Sequence, residues 1–118
     1  MVKCVLISEK LGDIREIESP LQRDIYTILK GPGTFLGQYE DLGVVIMKCR
    51  ERESLMELMQ NENKLPKPFD EELVLGPILL VRMSEASEPE DFTLQEFYKL
   101  ADLNLNPRLV GPPGVQLG

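Results

Sequence analysis

Apolar and polar positions along this chain follow two periods, and the change from one to the other marks its elements. Residues 2–7 (VKCVLI) form a mostly apolar run and predict a strand. Ile14-Arg15-Glu16-Ile17-Glu18 alternates apolar with charged, as a strand exposed on one face does, and residues 9–13 with Gly12 predict the turn between the two. Short and charged, this second strand suits a sheet edge. The period then lengthens. Leu21, Ile25, Ile28 and Leu29 make one helical stripe behind Ser19, Pro20 and Gln22, which read as N-cap, first helical residue and closing member of a capping box; Lys30-Gly31 supplies the stop.

Beyond Gly31-Pro32-Gly33, residues 34–36 and 44–49 predict a hairpin. Residues 44–47 are apolar on both faces, so this strand belongs inside the sheet. Leu55, Leu58 and Met59 share a helical face and predict a short helix over residues 54–60, capped by Ser54. The longest apolar run is Leu73-Val74-Leu75-Gly76-Pro77-Ile78-Leu79-Leu80-Val81-Arg82-Met83. Its segment 78–81 is apolar on both alternating faces, which predicts a central strand covered on both sides. Thr93 and Glu96 form a second capping box, Phe92 and Phe97 a hydrophobic staple, and Leu94, Phe97, Leu100 and Ala101 the buried stripe of a last helix. The expected fold is α+β: a single domain with a mostly antiparallel sheet of about five strands, in the order β-β-α-β-β-α-β-α, and helices packed on the sheet.

The 118 residues predict one domain, residues 1–102, followed by a C-terminal extension, 103–118, expected to be mobile. No apolar run approaches a membrane span or a secretory signal, which points to a cytoplasmic protein. Cys4 and Cys49 lie within apolar strand runs and read as small buried hydrophobes. The formal charge of −7 disfavours nucleic-acid binding. It is concentrated between residues 84 and 102, where six acids (Glu85, Glu88, Glu90, Asp91, Glu96, Asp102) face Lys99 alone.

The usual apparatus of catalysis is absent from the sequence. It has no histidine, no Cys-x-x-Cys spacing, no Gly-x-Ser-x-Gly elbow and no phosphate loop placed between a strand and a helix. The carboxylates of Glu40-Asp41 and Asp70-Glu71-Glu72 lack the spacing of a calcium loop. Cys49 is flanked by Lys48 and Arg50, but in a strand those side chains point to the opposite face. No catalytic residue, metal or cofactor is predicted.

Recognition chemistry is richer in the loop over residues 61–69. Asn61, Asn63 and Lys64 supply polar groups, Pro66 restricts the backbone and Phe69 offers an apolar anchor. A rigid connection is the competing reading. The expectation is a small acidic interaction or regulatory module that binds another protein, with affinity in this loop and electrostatic steering in the acidic segment. The alternative is a small-molecule-binding domain or an unusual histidine-free enzyme, with a pocket between the first helix and the sheet. Its polar groups would be Gln38, Tyr39, Asn61, Asn63 and Arg82, and Arg82 would either grip an anion or pair with a carboxylate.

The order of motifs also resembles a known group. Gly37-Gln38 leading to Val44-Val45-Ile46-Met47, then Asn63-Lys64-Leu65-Pro66, Gly76-Pro77-Ile78-Leu79-Leu80-Val81 and Asp91-Phe92-Thr93-Leu94 are similar to small uncharacterised domain-of-unknown-function proteins of phages, bacteria and algae. The likeness spans about residues 2–101. It implies the same fold and carries over no site residue.

Overall fold

A segment apolar on both faces needs neighbours on both edges and cover above and below, and residues 78–81 obtain all four. In the computed structural model, which describes residues 1–19, 21 and 24–105, the elements in chain order are β1 (Val2–Ile7), β2 (Ile14–Ser19), α1 (Ile25–Ile28), β3 (Gly33–Tyr39), β4 (Val44–Cys49), β5 (Ile78–Met83), β6 (Pro89–Glu90) and α2 (Leu94–Leu105). Single 3-10 turns lie at Glu40–Leu42 and Glu51–Glu53. The strands are ordered β2-β1-β5-β4-β3, with β6 paired to the end of β5, and every pairing recorded is antiparallel. The expected charged edge strand, β2, is indeed at a rim, and β4 lies beside β5.

Alternation along the strands sorts the interior into two layers. Val5, Ile7, Val44, Ile46, Ile78 and Leu80 face one side, where Phe92, Phe97 and the loop residues Leu65 and Val74 cover them. Cys4, Cys49, Leu79 and Val81 face the other, beneath Leu21 and Leu29. The result is a single α+β domain with a mostly antiparallel sheet and two helices. No helix is long and apolar enough to cross a membrane, a statement that covers the described residues.

Beyond the unpredicted two-residue β6, the predicted elements need two corrections. Residues 54–60 are not helical. Ser54 is extended (ψ 149°), Leu55 N–H donates to the Lys30 carbonyl at 2.8 Å, Gly76 N–H donates to the Met59 carbonyl at 2.7 Å, and Gln60 bridges Leu75. Backbone groups that a helix would pair internally are paired instead with neighbours at both ends of the segment. The first helix is the second correction: it shrinks to the single turn of α1. Leu21 sits in the left-handed region (φ 68°), so the chain turns there rather than winds. The Ser19 hydroxyl accepts from Leu21 N–H at 2.9 Å and donates to Asp24 Oδ2 at 3.0 Å, holding that turn. Pro20 and Gln22, the other members of the predicted capping box, lie outside the described residues. Leu21, Ile25, Ile28 and Leu29 nonetheless all pack on the sheet. Behind them the chain leaves at Gly31, where an added Cβ would stand 2.9 Å from Cys49 Sγ.

The last helix begins where its capping box places it. Thr93 N–H donates to Glu96 Oε1 at 3.0 Å and Glu96 N–H donates to Thr93 Oγ1 at 3.2 Å, while Phe92 and Phe97 share one buried cluster. The helix runs past Asp102 to Leu105, and the rest of the predicted C-terminal extension, residues 106–118, lies outside the described residues. Both thiols are buried and free. Desolvation raises the Cys4 pKa to about 11 and also raises that of Cys49, where Lys48 only partly opposes it. Thr93→Ala removes the side-chain acceptor of Glu96 N–H and is expected to cost ~1 kcal/mol, whereas Thr93→Ser keeps it. Urea unfolding of the three proteins in one buffer measures the difference, and equal midpoints would exclude the cap.

Candidate functional site

The residues expected to recognise a partner turn inward. Asn61 is buried; its Nδ2 donates to the carbonyls of Ile7 at 3.2 Å and Gly76 at 3.0 Å, and its Oδ1 accepts from Asn63 N–H at 2.9 Å. Asn63 Nδ2 donates to the carbonyls of Ser8 at 2.8 Å and Lys10 at 3.0 Å, and Asn63 Oδ1 accepts from Gly12 N–H at 2.8 Å. The two amides therefore tie the loop to the β1–β2 turn and to the start of β5, and they have little left to offer a partner. Pro66 is buried too, with its carbonyl accepting from the Tyr39 hydroxyl at 2.6 Å. Phe69 meets Tyr39 edge to face at 5.4 Å and lies so close over Gly37 that a Cβ there would stand 2.5 Å from the ring. Of the five loop residues singled out in the sequence, only Lys64 is exposed.

The residues proposed to line a pocket are separated. Gln38 and Tyr39 border a hollow of about 380 Å³ together with Glu40, Asp41 and Lys67. The Tyr39 phenol is held protonated far above its ordinary range, chiefly by burial and further by Asp70. Arg82 does not line that hollow. Its Nη2 meets Glu96 Oε2 at 2.8 Å, its Nε donates to the Leu42 carbonyl at 3.1 Å and its Nη1 to the Asp91 carbonyl at 3.0 Å, with the guanidinium 5.4 Å from the Phe92 ring centre. Of its two sequence readings, pairing with a carboxylate is the observed one. This fork joins the turn before β4, the strand end and the start of α2.

A larger hollow does lie between the first helix and the sheet, where the alternative reading expected one, but none of the polar residues named for it lines it. A cleft of about 680 Å³ opens between α1, the end of β1 and the segment around Met59. Leu6, Ile28, Met59 and Pro77 give it apolar walls, and Glu9, Asp13, Lys30 and Glu62 give it charge. Lys30 Nζ and Glu9 Oε2 are 2.7 Å apart, and Glu62 N–H donates to the Glu9 carbonyl at 2.8 Å. Beside this cleft runs the strap of residues 54–59. Leu58 turns inward against Gly76, while Leu55, Met56 and Met59 stand 57%, 52% and 68% exposed. Helical spacing assigned Leu55 and Met59 to a buried stripe. The available signal was composition, since two methionines and two leucines within five residues suit an adaptable surface as well as a core. Among the described residues, no group of three or more His, Cys, Asp or Glu side chains is placed to hold a metal ion.

Two outcomes check this account. Asn61→Ala strands two buried carbonyls and is expected to destabilise the domain by about 2 kcal/mol, with Lys64→Ala within about 0.5 kcal/mol of the parent, as thermal melting will show. Glu96→Gln preserves the cap and removes the charge that faces Arg82. The hydrogen bond from Arg82 holds the Glu96 carboxyl below its ordinary 4.5, ahead of the smaller opposing effect of burial. Its contribution is thus present above pH 4.5 and lost as pH falls through the lower folded value. The side chain is 38% exposed, so the gap is modest at neutral pH. Stability curves of the parent and Glu96→Gln are expected to differ at pH 7 and to converge in acid; a gap independent of pH would rule out the ion pair as its source.

The family model described as a family of unknown function (DUF5880) matches residues 5–100. No curated protein and no solved structure matches the chain. The matched span runs from within β1 into α2, so β2 to β6, strap, loop and cleft fall inside it, and the chain belongs to this family of unknown function.

Proposed function

We propose that this domain is a non-catalytic protein-interaction module that docks through the strap of residues 54–59 and the rim of the adjoining cleft. The observation that carries this reading is the strap itself: three long apolar side chains held outward on a segment whose backbone is bonded at both ends. Fixing the backbone beforehand lowers the ordering cost of binding, while methionine side chains can still adapt to a partner's shape. Contiguous exposure of large apolar groups is the usual mark of a protein contact on a soluble domain.

The partner is expected to be basic where it meets the remaining surface, since the chain carries a formal charge of −7 and the segment before α2 contributes Glu85, Glu88, Glu90 and Asp91. Nucleic acid is disfavoured on the same ground. Two free thiols in a well-packed interior fit a cytoplasmic protein. A second reading draws on the cleft alone, whose apolar walls and Glu9–Lys30 pair suit a small ligand with both a polar and an apolar end.

Site-directed photo-crosslinking separates the two. A photoreactive residue at position 56 is expected to crosslink one defined protein from the native source, and the same residue at exposed Tyr98 is not. Adding Met59→Glu should weaken binding of that protein at least about tenfold, equivalent to about 1.4 kcal/mol, with an unchanged melting temperature. Equal labelling from both positions, or binding indifferent to Met59→Glu, would remove the strap from consideration.

A further inference from the structure

The two rims of the sheet are built differently. β2 carries Arg15, Glu16 and Glu18 within six residues, the kind of charge that keeps a strand edge from pairing with another molecule. β3, at the other rim, is Gly33-Thr34-Phe35-Leu36-Gly37-Gln38-Tyr39, with neither a charge nor a proline in seven residues. Its outward groups follow from its pairing with β4. Arg50 N–H donates to the Pro32 carbonyl at 2.8 Å, so the antiparallel alternation makes Thr34–Lys48 the next bonded pair. The N–H and carbonyl of Gly33 and Phe35 then point away from the sheet. Beyond the irregularity between Phe35 and Gly37, the same alternation turns Gln38 outward. Among the described residues, none of these three has a backbone partner on that side.

Apolar surface adjoins these open groups. Phe35 is 65% exposed, and a shallow hollow of about 310 Å³ beside it is lined by Phe35, Gly37, Gln38 and Val45. The strand is also polar from end to end. Its start is bordered by Lys48 and Arg50, paired with Glu51 and Glu53 respectively, and by exposed Arg52. Its far end runs into exposed Glu40 and Asp41.

We infer that β3 pairs antiparallel with β3 of a second copy of this chain, about a two-fold axis near Leu36 and Gly37. In that arrangement the start of each strand meets the end of the other, so the border of each copy, which keeps one net positive charge after its two ion pairs, faces the acidic turn of its mate at both ends. A two-fold contact has to be self-complementary, and a strand with opposite charge at its two ends is so only when paired antiparallel to itself. The same register sets Phe35 of each copy over the other's hollow at Gly37 and Gln38, and brings the two strand irregularities together at the axis. One strand's length of contact is small, which places the association in the micromolar range.

Sedimentation velocity over a micromolar concentration series tests this. The parent is expected to pass from monomer to dimer, and Phe35→Lys to weaken the dimer at least about tenfold without lowering the melting temperature. The charge argument has its own check. Chains carrying Glu40→Lys with Asp41→Lys, and chains carrying Arg50→Glu with Arg52→Glu, should each stay monomeric alone because like charges meet at both ends. Mixed, they should form a heterodimer. A parent that is monomeric at every concentration overturns the inference, as does a dimer indifferent to Phe35→Lys or a mixture that does not associate. Met56→Glu with Met59→Glu should leave the dimer unchanged, and its loss in that variant would assign self-association to the strap instead.

Discussion

Everything in this domain answers to a strand that is apolar on both faces. β5 cannot be wet on either side, and among the described residues only one helix is of useful length to cover it. α2 and the staple at Phe92 protect part of one face. The rest is covered by non-helical chain: residues 61–74 on the same face, and the turn around Leu21, the single-turn α1 and the inward Leu58 on the other. A loop used as a lid buries backbone groups that have no ladder or helix to pair them. That is why polar side chains in and against this loop direct their amides and hydroxyls at carbonyls. Asn61 serves Ile7 and Gly76, Asn63 serves Ser8 and Lys10, and the Tyr39 hydroxyl serves Pro66. Among the described residues, no buried side-chain nitrogen or oxygen lacks a partner.

The same economy explains which parts of the fold could be read in the sequence. Strands β1, β2, β4 and β5, the charged rim at β2 and the start of α2 were legible because each is specified by nearby residues: alternation for the strands, the Thr93–Glu96 pair for the helix. Segments 20–30 and 54–60 also carry helical spacing, and in both the apolar side chains or the backbone found better partners elsewhere. Leu21 needed a left-handed turn to reach the sheet, and the Leu55 and Met59 backbones bonded to residues distant in sequence. Nothing local announces such choices, because their energy comes from contacts that exist only once the sheet is built.

The candidate site was less legible for a related reason. Asparagine, proline and phenylalanine in one loop are the side chains a recognition surface uses, and also those needed to seat a loop on a core. Composition does not separate the two, whereas the direction of the amides does. The cleft between α1 and the strap is assembled from stretches spanning residues 6 to 77, so no window of sequence contains it. Arg82 lies between these cases: an arginine ending a buried strand had to find partners, and both its readings were visible before the identity of Glu96 as one of them was.

Strand order also has a consequence for how the protein is made. β1–β2 and β3–β4 are local hairpins complete by residue 49, yet they do not pair with each other; β5 inserts between them, bonding β1 on one side and β4 on the other. During synthesis, therefore, two half-sheets leave the ribosome with their inner rims unpaired and must wait until residue 83 has emerged before either is closed. In that interval the most apolar rims of the molecule, those of β1 and β4, are open together. Ribosomal pace and chaperone occupancy over the stretch between residues 49 and 83 thus bear on the yield of folded chain.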